Sequence, residues 1–216
     1  MLSVVIPTYN DAKNIALAIA SANQIKYVNE IIIVDDCSTD NTELIIKDIR
    51  DNCRKVKYYR NSVNQGSGLT FLNGLEKVKN SYVIMLNSDD FFIPKAIEKL
   101  FEYTIKNDLD LGYGKMSIKK NSGIHKYVHP GYKNKSYVDN RNELQDLLIF
   151  DMYIPSFGAI INYDKIRKFY NKKYYESLNY NFGKSFKAHD YDLFLNLAKK
   201  KKRMGFLNET VCVWCK

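Results

Sequence analysis

The stretch that decides the fold is Val83-Ile84-Met85-Leu86-Asn87-Ser88-Asp89-Asp90-Phe91-Phe92. An apolar run from Tyr82 to Leu86 stops abruptly at Asn87-Ser88-Asp89-Asp90. The run is too short for an ordinary helix and apolar enough for a strand buried on both faces. In open α/β sheets, ligands bind beyond the carboxyl ends of the strands. Two carboxylates with a small residue beside them therefore stand where a ligand would sit. Hard cations such as Mg²⁺ and Mn²⁺ favour carboxylate oxygen and commonly tie a protein to a diphosphate. One reading of the turn is thus a metal held on a nucleotide diphosphate. The other is a plain turn opened by Ser and Asp, and a lone acidic pair does not choose between them.

The residues before this stretch repeat its design. Leu2 to Ile6 reads as a strand ending in the polar turn Pro7-Thr8-Tyr9-Asn10-Asp11, and Ala12 to Ala22 as the helix that follows. Glu30 to Val34 is a second strand, ending in Asp35-Asp36-Cys37-Ser38-Thr39-Asp40. Asp40 and Glu43 have the spacing of an N-cap and its return acid, which predicts a helix start there. Val56 to Tyr59 is a third strand. The turn Asn64-Gln65-Gly66-Ser67-Gly68 then leads to a helix from Leu69 to Val78. A β-α-β-α-β-α-β order with short connections implies parallel strands and right-handed crossovers. Parallel strands put the turns Thr8 to Asp11, Asp35 to Asp40 and Asn87 to Asp90 on one sheet edge. Three polar turns converging there predict a site.

The second half is less regular. Pro94 opens an amphipathic helix with Ile97, Leu100, Phe101 and Ile105 at helical spacing. Leu109 to Ser117 and Ile124 to Val128 read as a hairpin around Asn121-Ser122-Gly123. Asn142 to Phe150 reads as a helix and Phe157 to Ile161 as a short strand. Tyr170 to Lys187 reads as a long loop, and His189-Asp190-Tyr191-Asp192 precedes a last helix.

Bulk properties bound the class. A chain of 216 residues with 45% hydrophobic and 26% charged residues suits one ordered domain with a sizeable core. No apolar run approaches the ~18 residues that span a bilayer, and no basic region with a cleavage site precedes the first strand, so a soluble, cytoplasmic protein is expected. Cys212 and Cys215 form C-V-W-C with no second pair for a four-ligand zinc site, and they read as structural. The net charge of +9 suits an anionic partner. Lys199 to Arg203 concentrates part of it; the run is either a solvated helix end or a peripheral contact with anionic headgroups at the inner face of a membrane.

Taken together, Val4-Val5-Ile6-Pro7-Thr8-Tyr9-Asn10, Ile33-Val34-Asp35-Asp36-Cys37-Ser38-Thr39-Asp40, Asn87-Ser88-Asp89-Asp90 and Asp190-Tyr191-Asp192-Leu193 resemble the successive motifs of family 2 glycosyltransferases. That family comprises inverting enzymes of the GT-A fold, and the resemblance covers nearly the whole chain. It implies a single α/β domain over 1–216. In it a Rossmann-like, mainly parallel sheet flanked by helices (1–92) would bind the nucleotide-sugar, and a smaller mixed region (93–216) the acceptor. It implies nucleotide contacts from Pro7, Thr8, Tyr9, Asp11, Asp36, Asn64, Gly66, Asn87 and Ser88, with the Asp36 carboxylate accepting from a uracil N–H. Asp89 would bind a divalent metal, Mn²⁺ or Mg²⁺, and Asp190 would be the general base. The chemistry requires such groups: a hydroxyl is a poor nucleophile until a carboxylate takes its proton, and the leaving diphosphate gathers negative charge.

The sequence also departs from the family. Asn87 replaces the first acid of D-x-D, and Phe71 stands where many members have Arg. His189 precedes the base where Glu is usual; capping a helix, tuning Asp190 and touching the acceptor are its three readings. The chain ends at Trp214-Cys215-Lys216, where many relatives continue. The expected activity is metal-dependent transfer from a UDP-linked donor to a glycan or lipid-linked glycan acceptor of a bacterial surface polysaccharide, capsule or lipopolysaccharide. The alternative is a nucleotide-sugar-binding domain without catalysis. A nucleotidyltransferase would want a Gly-rich basic loop after the first strand, which Pro7 to Asp11 lacks. A nucleic-acid partner would need a basic face with interleaved aromatics, so none is expected.

Overall fold

All seven residues of β1 (Leu2–Thr8) are buried. The strand lies between β2 (Val28–Asp35) and β4 (Tyr82–Met85) and runs parallel to both. β2 in turn pairs in parallel with β3 (Val56–Arg60) at the sheet's edge. The connections are α1 (Ile15–Asn23), α2 (Thr42–Asn52) and α3 (Ser67–Leu75), the expected alternation. This computed structural model describes residues 1–129, 131–138, 146, 154–173 and 189–215, except the side chains of 189–191.

Burial on both faces explains the unbroken apolar runs. Val83 and Met85 join Phe71, Leu72 and Leu75 in one core layer, while Ile84 and Leu86 join Ile15, Ile19 and Leu100 in the other. α3 approaches β1 closely because Gly74 has no side chain; a Cβ there would lie 2.4 Å from Val5 Cγ1.

The second half extends the same sheet. It contributes β5 (Phe91–Phe92), α4 (Pro94–Lys106), β6 (Leu111–Lys120), β7 (Gly123–Lys126), β8 (Tyr137–Val138) and β9 (Ala159–Asn162). After these come α5 (Tyr163–Ile166), α6 (His189–Lys199) and β10 (Met204–Cys215). The strand order is β3-β2-β1-β4-β9-β6-β10-β5, with β7 on β6 and β8 on β10. β9 is antiparallel to β4 and β6, β10 is parallel to β6, and β5 is antiparallel to β10. The result is a mainly parallel sheet flanked by helices beside a mixed region. The carboxyl ends of β1, β2, β4, β6 and β10 share one edge.

Three local readings shift. Asp40 is not the N-cap of α2; Asn41 is. Asp40 instead accepts from Thr42 N at 3.0 Å and from Ala12 N at 3.1 Å, so it bridges two turns, while Glu43 pairs with Lys47 and Arg60. Asp40 thus braces the start of α2 from one residue before the cap. Ser156–Gly158 forms a 3₁₀ turn, so the strand after it begins at Ala159 rather than Phe157. α1 begins at Ile15, because Asn14 N and Ile15 N first turn back onto Asp11 O. Of the predicted helix over Asn142 to Phe150 only Asp146 is among the described residues. Of the predicted loop over Tyr170 to Lys187 only 170–173 are.

Candidate active site

Three strand ends and one helix start enclose a cleft of about 350 Å³. Pro7, Thr8 and Tyr9 come from the end of β1, and Asp36 follows β2. Ser67 and Thr70 come from the first turn of α3, and Asn87, Ser88 and Asp89 follow β4. The turns are stitched to one another. Asn10 N donates to Ser38 Oγ at 2.9 Å, Thr39 N to Asn10 Oδ1 at 2.7 Å, and Asp11 N to Thr42 Oγ1 at 2.8 Å. Such bonds between different loops hold the lining in place before any ligand arrives.

The acids after β2 have separate tasks. Asp35, 0% exposed, accepts from Ser38 N, Tyr58 OH and Arg60 Nη1, each at 2.8 Å. Asp36 faces the cleft and accepts from Asn61 Nδ2 (2.8 Å), Gln65 N (2.9 Å) and Gly66 N (2.7 Å). Gly66 has φ +89°, where other residues are strained, so a glycine lets this turn close around the carboxylate.

The acids after β4 also diverge. Asp89 is exposed and lines the cleft; Asp90 is 1% exposed and faces inward. Asp90 Oδ1 accepts from Cys215 N of β10 and Oδ2 from Asn87 Nδ2, both at 2.8 Å. The amide at position 87 is therefore the donor that supports a buried carboxylate, which an aspartate there would repel. Burial pushes Asp90 up to about 7; the two donors oppose this, and the charges of Asp89 and Asp11 add to it. Asp89 is raised as well, by partial desolvation and by Asp11.

Whether these residues suit a divalent cation can be judged from their unmet needs. Asp11 Oδ2 is buried with no hydrogen-bond partner, and the charges that shift Asp89 and Asp90 are all negative. Among the described residues no group of three or more His, Cys, Asp or Glu could hold a metal alone. The donor set fits a cation that takes one or two carboxylates from the protein and its other oxygens from a diphosphate.

Of the predicted contacts, Pro7, Thr8, Tyr9, Asp36, Asn87, Ser88 and Asp89 line the cleft together. Thr8 is 3% exposed, and its Oγ1 has no hydrogen-bond partner. Asp11, Asn64 and Gly66 stand off the lining. Asp11 accepts from Asn14 Nδ2, Asn64 is exposed, and Gly66 serves Asp36. Asp190 lies in the first turn of α6, its side chain outside the described ones. Ser67 and Thr70 went unpredicted; the signal was their position just after a glycine turn, where a helix presents free N–H groups. Phe71 is 2% exposed and packs beside Tyr170, Leu193 and Phe194, so it belongs to the core rather than the cleft.

Residues 3–185 match the profile described as Glycosyl transferase family 2. An uncharacterized glycosyltransferase of Haemophilus influenzae is 34% identical over 115 residues, 53% of this chain and 46% of that protein. The UDP-Glc:alpha-D-GlcNAc-diphosphoundecaprenol beta-1,3-glucosyltransferase WfgD of Escherichia coli is 28% identical over 132 residues, 60% of this chain and 51% of the relative. The matched stretch spans about half the length of these curated relatives. The crystal structure of Staphylococcus aureus TarS in complex with UDP-GlcNAc superposes with a TM-score of 0.76 and 20% identity, over 100% of this chain and 58% of that one. At that identity the likeness is one of fold, the GT-A fold expected above. No described helix is long and apolar enough to cross a membrane.

Proposed function

Because the chain belongs to glycosyl transferase family 2, we propose that it moves a sugar from a UDP-linked donor to an acceptor hydroxyl with inversion at the anomeric carbon. The observation that carries this is the convergence of Tyr9, Asp36 and Asp89 on one cleft from three different strand ends. Tyr9 is 49% exposed, so its ring is free to lie against a uracil. Asp36 Oδ2 has a single partner, Gly66 N, and keeps a lone pair for the base N–H. Ser67 and Thr70 put the amino end of α3 toward the diphosphate, where its dipole favours negative charge. A divalent cation, Mn²⁺ or Mg²⁺, held by Asp89 and the diphosphate oxygens would stabilise the leaving group. Asp190 takes the acceptor proton as the hydroxyl attacks from the face opposite the diphosphate. The base on α6 and the metal carboxylate after β4 come from different elements, so the cation would not take the carboxylate that must accept the proton.

The acceptor on this reading is a glycan or lipid-linked glycan of a bacterial surface polymer, and the chain works on the cytoplasmic side of the membrane. The names of WfgD and of TarP, a poly(ribitol-phosphate) beta-N-acetylglucosaminyltransferase of Staphylococcus aureus 35% identical over 122 residues, support that class.

Calorimetric titration of UDP and GDP, each with and without Mn²⁺, tests the donor site. Tight, Mn²⁺-dependent binding of UDP that Asp89→Ala abolishes is expected, and Asp190→Asn should bind UDP normally while transferring nothing. Binding without turnover for any donor would point to the non-catalytic alternative. No nucleotide binding in the presence of metal would sink the assignment.

A further inference from the structure

We propose that the β6–β7 hairpin, continued to Val128, is a docking arm for an anionic lipid surface. Residues 111–138 contain six lysines and no Asp or Glu. Every residue of β7 is exposed, as are Lys119 and Lys120. Among the described residues, Lys119, Lys120 and Lys126 have no ion-pair partner. Beside these cations stand Ile124 and Val128, 59% and 75% exposed. The register pairs Lys119 with Ile124 and Ser117 with Lys126, which puts Lys119, Ile124 and Lys126 on one face of the hairpin. A soluble polyanion would engage the lysines and leave the isoleucine and valine in water. A bilayer interface uses both, headgroups for the cations and the acyl boundary for the apolar side chains.

The arm's place in the fold gives the contact a consequence. β6 ends on the cleft's edge of the sheet, and Lys119 pairs in register with Cys215, whose N–H binds Asp90. Lys119 Nζ also stands 6.0 Å from the centre of the Phe91 ring. The hairpin tip thus lies next to the Asn87–Asp90 turn, and docking it would bring the mouth of the cleft to the membrane. The run Lys199 to Arg203 lies at the amino end of β10, on the opposite edge. There Lys200 and Lys202 lie 5.1 and 6.0 Å from the Phe169 ring centre, and Arg203 Nε donates to Asn107 O. Docking through that cluster would turn the cleft away.

That a lipid-linked acceptor is met this way rests on the proposed transfer; the surface itself does not. The test is sedimentation of the chain with phosphatidylcholine vesicles, with and without phosphatidylglycerol. Binding should require the anionic lipid. Neutralising Lys119, Lys120 and Lys126 to Gln should weaken it about a hundredfold, at about fivefold per lysine near a surface. Ile124→Ser with Val128→Ser should weaken it as well. Neutralising Lys199, Lys200 and Lys201 should change it less than about twofold, since only cations near the membrane contribute. Circular dichroism and the urea midpoint of each variant report its folding, and UDP titration of the wild type reports the cleft. Equal binding to both vesicle types, or wild-type binding by either hairpin variant, overturns the arm. If vesicles bind and UDP does not, the cleft reading fails and the arm stands.

Discussion

The turns after β2 and β4 carry the same sequence feature, adjacent aspartates at the carboxyl end of a buried parallel strand. They resolve it differently. After β2 the first acid, Asp35, goes inward and meets a guanidinium, with Arg60 Nη1 at 2.8 Å from it. After β4 it is the second acid, Asp90, that goes inward, and it meets only neutral donors, Asn87 Nδ2 and Cys215 N. Burial pushes Asp90 up to about 7, and its two N–H donors only partly oppose this. The first turn is thus a rigid support. The second is a cluster of acids short of positive charge.

Four substitutions test this contrast, in falling order of expected effect. Asp89→Ala should reduce transfer about a thousandfold, on the scale of losing one preorganised charge contact, and should remove the metal dependence of UDP binding. Transfer at a tenth of wild type or better would show that the turn does not carry the metal. Arg60→Ala should destabilise the chain, because Asp35 is left buried without its cation. Urea unfolding measures this, and an unchanged midpoint would mean that Tyr58 and Ser38 suffice for Asp35.

Asp90→Asn should change the pH dependence of stability in metal-free buffer containing a chelator. Folded Asp90 keeps its proton up to about pH 7, against 3.8 for an ordinary aspartate carboxyl. The folded state therefore holds more protons between those values. Its contribution is complete below the lower value and is lost as pH rises through 7. The variant should be flatter over that window and about 2 kcal/mol more stable than wild type at pH 8. Parallel pH profiles for the two proteins would contradict the contrast. Asn87→Asp should cost about 1 kcal/mol at pH 8, since it replaces a donor by a third carboxylate. An unchanged urea midpoint would show that Cys215 N alone supports Asp90.

Much of the donor half could be read from the chain. Tyr82 to Leu86 and Ile31 to Val34 are unbroken apolar runs because both of their faces are covered, and Pro94 and the Asn121-Ser122-Gly123 turn announce α4 and the β6–β7 hairpin by local backbone preference. The mixed region was harder. β9 enters the sheet between β4 and β6, far from either in sequence. β5 has two residues and exists only because β10 pairs with it. Asp40 looked like a plain cap because one of its partners, Ala12 N, is 28 residues away in sequence. Ser67 and Thr70 looked ordinary because their value lies in where α3 points.

By itself, then, the sequence determined the parallel β-α order and the three polar turns on one edge, because strand burial and turn chemistry are written in neighbouring residues. The family resemblance already pointed to Asp36 and Asp89, and only the tertiary structure supplied the reason that Asp35 and Asp90 turn inward instead. That choice depends on Arg60 and on the Cys215 N–H, and a buried charge takes its energy from partners that the fold brings from elsewhere in the chain.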